Sequence, residues 1–191
     1  GYATVESCLE ALDVGAVGYL WKPFEDLNQV VAKIIGYLGE HKRRTSRPPL
    51  PSAPGIAVAP IQVLLAAPPT SWRLSFEAQL GEAGFTVNVT DGFGPALQAL
   101  KPGVTDVVIV DEKADPSGGI ALLTRMRQQD MDVAFLLVAT APSLPLLTRL
   151  IELGGAGCLA KPLSDAESIV DKGRAVAQRS RRLRGIDLRA G

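Results

Sequence analysis

The chain has 191 residues, 47% of them hydrophobic and 21% charged, which supplies a packed core and leaves too little charge for wholesale disorder. Lys and Arg number 20, as do Asp and Glu, so a global attraction to nucleic acid or to an anionic membrane is not expected. Two cysteines in unrelated settings, one histidine and no apolar run near the roughly 20 residues of a spanning helix argue against a disulfide scaffold, a His-based metal or nucleophile site and a membrane protein, and favour a reduced, cytoplasmic setting.

The chain has no initiator Met and opens inside a helix-like pattern, so it reads as a piece of something longer. "TVESCLEALDVGA" places Val5, Cys8, Leu9 and Leu12 at helical spacing and stops at Gly15. "VGYLW" is a short apolar strand. From Glu25, residues Leu27, Val30, Val31, Ile34, Ile35 and Leu38 form an amphipathic stripe that ends in the basic "HKRR". His41 there reads as part of a solvated helix end. Residues 46–60 hold five prolines in fifteen positions, the composition of an extended linker and a domain boundary.

From Ile61 strands and helices alternate. "IQVLLA", "FTVNV", "DVVIV", "VAFLLVA" and "GCLA" are strand runs. Each is followed by a helical pattern: "SWRLSFEAQLGEAG", "FGPALQAL", "GGIALLTRMRQQ", "LPLLTRLIEL" and "SDAESIVDKGRAVAQ", with Ser164 as the N-cap of the last. Trp72, Phe76 and Leu80 share a face of the first of these helices. Five such units with continuous apolar strands predict a parallel sheet covered by helices on both faces. Gly92 and Gly94 in "DGFGP" follow the second strand at the wrong spacing for a dinucleotide fingerprint. The tail from Lys172 is strongly basic and reads as an exposed helix extension.

"GAVGYLWKPF" near the start is echoed by "GAGCLAKPL" near the end: an apolar strand, then Lys-Pro and an apolar residue. Together with "TDVVIVDEKADPSGG", these residues resemble the receiver domain of two-component response regulators, the CheY-like family. The resemblance implies a flavodoxin-like α/β fold: a doubly wound, five-stranded parallel sheet of order 2-1-3-4-5 in three α/β/α layers. It divides the chain into a partial receiver at 1–44 (an α-β-α unit), a Pro-rich linker at 45–60, a complete domain at 61–182 and a basic tail at 183–191. A lone α-β-α unit buries little, so the partial receiver is expected to pack its stripe on the complete domain or on another chain.

In that family a phosphoryl group passes to an Asp at the end of the third strand. An acidic pair after the first strand holds Mg²⁺, a Thr or Ser follows the fourth strand, and a Lys-Pro, its peptide bond cis, follows the fifth. Asp111 matches the acceptor and Lys161 the cation, and the two are expected to pair as a relic of the pocket. Asp106 opens the same motif and is read as bonding locally. The acidic pair falls on Ala67 and Pro68, the Thr on Ala139, and the aromatic three residues before the Lys on Cys158. Thr140, next to the Thr slot, is expected on the wrong face. In the first copy, Tyr19 and Lys22 match the pattern, while the remaining site positions lie outside the sequence.

The resemblance therefore implies a degenerate pseudo-receiver: a non-enzymatic signalling module with no catalytic residue, metal or cofactor. Its partners would be proteins, a histidine kinase or another receiver, at the face of the family's fourth helix, fifth strand and fifth helix. A homodimer is admitted; membrane and nucleic acid are not expected. Two alternatives stand beside it: a working phosphoacceptor at Asp111 that uses Mg²⁺, and a scaffold that dimerises or binds nucleic acid through the basic C-terminal helix.

Overall fold

A computed structural model describes residues 4–16, 18, 30–37, 59–114, 119–163 and 166–183. The strands are β1 (Gln62–Ala66), β2 (Thr86–Thr90), β3 (Val107–Asp111), β4 (Ala134–Ala139) and β5 (Gly157–Ala160). They form one parallel sheet of order β2-β1-β3-β4-β5, in which Val63 pairs with Val87 and Val107, and Leu137 with Val110 and Cys158. The sheet is the one expected.

The helices are α1 (Val5–Asp13), α2 (residues 30–37), α3 (Ser71–Glu82), α4 (Phe93–Ala99), α5 (Gly119–Gln128), α6 (Leu144–Glu152) and α7 (Ala166–Leu183). The two-residue period of a strand splits the core into two layers. Val63, Leu65, Ile109 and Val138 meet Phe76 and Leu80 of α3 and Ile169 and Ala177 of α7. Leu64, Val110 and Leu137 meet α4, α5 and α6 on the other side. Burial on both faces explains the unbroken apolar runs of β1, β3 and β4, while β2, at the edge, alternates and is partly exposed. Among the described residues no helix is long and apolar enough to cross a membrane.

The N-terminal segment packs in part as expected. Thr4 caps α1 with a reciprocal Thr4–Ser7 capping box, and Cys8 and Leu12 are buried in the layer that holds α6. On α2, by contrast, Val31, Ile34 and Ile35 are 52%, 41% and 64% exposed, so this part of the stripe is not covered. Lys33, 3.8 Å from Glu152 of α6, links α2 to the domain. Apart from Gly18, the strand "VGYLW" lies outside the described residues, as do Ser164 and most of the linker.

The basic C-terminal helix corrects one expectation. It is not an exposed extension beyond Lys172, because Ala177, Ser180 and Arg181 are buried against the domain. Lys172, Arg179 and Arg181 all bond within the chain. A period of about 3.6 residues continues past Gln178 and carries the packed face with it.

Candidate functional site

Asp111 is the last residue of β3, and Lys161 follows β5 directly, its peptide bond to Pro162 cis. Strand alternation places Asp111 in the row of Val107 and Ile109, Lys161 in the row of Leu159, and Ala67 in the row of Val63 and Leu65. All three rows face the α3–α7 layer, so these positions share one side of the sheet at its carboxyl end, where open α/β sheets carry their sites.

Lys161 Nζ donates to Asp111 Oδ2 at 2.7 Å, and the Lys113 amide donates to Oδ1 at 2.9 Å. The Asp111 side chain is 1% exposed and that of Lys161 16%. The ammonium also lies 4.3 Å from the centroid of the Trp72 ring, in the first turn of α3. Trp72 in turn packs, tilted, on Phe76 with ring centroids 6.0 Å apart. The carboxylate is thus neutralised by a cation that is itself held over an aromatic face, a contact that strengthens as water is excluded. The expected pairing of Asp111 with Lys161 is present.

The loop leaving β1 is held by a cation. Ala67 is buried, and its amide donates to the Thr90 carbonyl at 3.0 Å. Its own carbonyl accepts from Arg73 Nη1 at 3.0 Å, and the same nitrogen donates to the Asp91 carboxylate from the loop after β2. The Asp91 carboxylate thus reaches this loop through a guanidinium. Glu112, beside Asp111, is turned to the end of β4, where its Oε1 accepts the Thr140 amide at 2.7 Å. Among the described residues no group of three or more His, Cys, Asp or Glu is arranged to hold a metal ion.

The Thr position departs from expectation in one respect. Ala139 is buried in the α4–α6 layer, on the opposite side from Asp111. Val138 lies in the α3–α7 layer, and alternation places Thr140, not Ala139, on Asp111's side. The strand ends at Ala139, and Thr140 is exposed just beyond it.

Cys158 is 3% exposed, in the same layer as Cys8. Burial pushes its thiol up to about 11; the Lys172 cation pulls the other way, while Glu112 and Asp13 reinforce the rise. It is a neutral packed side chain at neutral pH. Pro68 is only partly buried. Tyr19 and Lys22 lie outside the described residues.

Asp106 does more than bond locally. It is buried, accepts the Gln62 amide at 2.9 Å and pairs with Arg181 at 2.6 Å, at the amino end of the sheet. Sequence reasoning missed this pair, Arg73's grip on Ala67 and the Trp72–Lys161 stack. Trp72 and Arg73 stand at the start of α3 beside the β1 loop, which signals proximity to the site without giving a side-chain direction.

The family model described as the response regulator receiver domain matches residues 69–172, more than half of the chain. Among solved structures, a signal receiver domain from Vibrio parahaemolyticus is similar at 18% identity with a TM-score of 0.61, covering 68% of this chain and 99% of its own. A CheY-like receiver domain from Methanospirillum hungatei is similar at 16% identity and 0.59, covering 64% and 98%. The receiver domain of an HD domain-containing protein from Pseudomonas fluorescens is similar at 22% and 0.58, over 64% and 98%. No curated protein matches. At these identities the structures speak for the fold, and the match over residues 69–172 speaks for the family: the chain belongs to the response regulator receiver domain family.

Proposed function

We propose that the complete domain is a pseudo-receiver, a non-enzymatic module of two-component signalling that works through protein contacts and not through phosphoryl transfer at Asp111. The observation that carries this reading is the loop after β1, where Ala67 and Pro68 stand at the positions of the acidic pair and the Ala67 carbonyl accepts from Arg73 Nη1 at 3.0 Å.

The cation implied by the family, Mg²⁺, does not suit the donor set. A small hard dication wants several carboxylate or water oxygens in near-octahedral order. Ala67 and Pro68 bring no side-chain oxygen, and the Ala67 carbonyl is bonded to Arg73, whose charge opposes a second cation. Charge building on a transferring phosphoryl group would go uncompensated, and each missing contact of that kind typically costs about two to three decades in rate. In this reading the domain acts in the cytoplasm, and its partners are other signalling proteins, such as a histidine kinase or another receiver.

The test is incubation of the full chain with Mg²⁺ and a small-molecule phosphodonor, followed by chemical trapping of acyl phosphate. We expect labelling no greater than that of an Asp111→Asn control. Stoichiometric trapping that maps to Asp111 would establish the working-acceptor reading instead.

A further inference from the structure

The groove formed by α6, β5 and α7 already holds a helix. α1 lies along α6 and β5, with Cys8 and Leu12 buried in the same apolar cluster as Leu147, Leu150 and Cys158. Its C-terminal end meets two cations of α7: Lys172 Nζ lies 2.6 Å from Asp13 Oδ1, and Arg179 Nη2 donates to the carbonyls of Val14 and Gly15 at 3.4 and 3.5 Å. Lys172 is itself anchored to the Cys158 carbonyl at 3.2 Å. Basic side chains at a helix C-terminus complement the helix dipole, and Gly15, at φ +75, gives the left-handed turn that ends α1 there. The groove thus recognises an amphipathic helix that closes on an acidic residue.

We propose that this groove is a helix-docking site whose second occupant is the α1 of another copy of this chain, so that two copies can exchange their α1 helices. The fit needs no new contact, since the helix and the groove are the ones seen together here. At nine residues α1 is too short to persist as a free helix, so it is stable only when docked, in its own groove or in a neighbour's. Residues 14–61 separate α1 from β1, a length of chain that can reach a neighbouring copy. Such exchange is a low-cost route to dimers. A tethered helix competes at an effective concentration on the order of millimolar, so the closed monomer dominates in dilute solution.

Reversing one charge in each of two full-length chains tests the exchange. Asp13→Lys opposes Lys172, and Lys172→Asp opposes Asp13, so each single variant weakens its own closed form. In an equimolar mixture both exchanged contacts become complementary. We expect the mixture to dimerise about tenfold more tightly than either variant alone in sedimentation equilibrium. The double variant Asp13→Lys/Lys172→Asp should return to the association of the unsubstituted chain, and adding Leu12→Asp to both partners should abolish the mixed dimer. Circular dichroism of each single variant verifies folding. A mixture that associates no more than its components, or association of single variants that ignores Leu12→Asp and so uses another surface, such as the exposed face of α2, would overturn the proposal.

Discussion

Arg181, near the end of α7, donates from Nη2 to Asp106 Oδ2 at 2.6 Å, and both side chains are buried. The same guanidinium holds the Ala59 and Pro60 carbonyls at 2.8 and 2.9 Å, so one side chain clips the last helix to the entrance of β1 and the start of β3. Asp106→Ala leaves that guanidinium buried without its counter-charge. A broken buried pair typically costs about 3 to 5 kcal/mol, and we expect a loss on that order in urea unfolding of the full chain. The paired change Asp106→Leu/Arg181→Met should cost less, because neither charge is then stranded.

The site pair makes a similar prediction with a different asymmetry. Lys161→Met strands a carboxylate that is 1% exposed and should destabilise the chain by about 3 kcal/mol. Asp111→Asn leaves an ammonium that retains Trp72 and some access to water, so its cost should be smaller. A double-mutant cycle read by denaturant midpoints checks the coupling between the two. Additive single effects would mean that the contact does not hold the pocket shut.

Cys158 sets a pH dependence. Its folded value of about 11 lies above the ordinary 9.0, so the stability gained from the neutral thiol is fully present below about pH 9 and is lost as pH rises through about 11. Thermal unfolding of the native chain and of Cys158→Ala should therefore diverge across that window, with the native chain losing the more. At neutral pH the thiol should react slowly with alkylating reagents until the chain unfolds.

The sheet order, the five strands and the placement of Asp111 and Lys161 were legible because each rests on a local pattern: continuous apolar runs, turn residues and a Lys-Pro pair. The packed face of α7 was not. Its basic residues look solvated in a linear reading, and only the helical period brings Lys172, Arg179 and Arg181 back to the chain. The Asp106–Arg181 and Lys161–Trp72 contacts join residues far apart in sequence, which no local pattern encodes. The side on which Thr140 falls turned on the register of β4 against β3, with Val138 beside Asp111, and register is set by pairing between strands that a local pattern does not encode.

Trp72 stands beside both the β1 loop and Lys161, so its fluorescence reports most directly on whether this pocket takes a cation and a phosphoryl mimic. In a Trp21→Phe background, titration with Mg²⁺ and then with beryllofluoride should give no saturable change, and Asp111→Asn should give the same trace. Saturable quenching at millimolar Mg²⁺ that disappears in Asp111→Asn would show that the pocket binds the metal and would contradict the account.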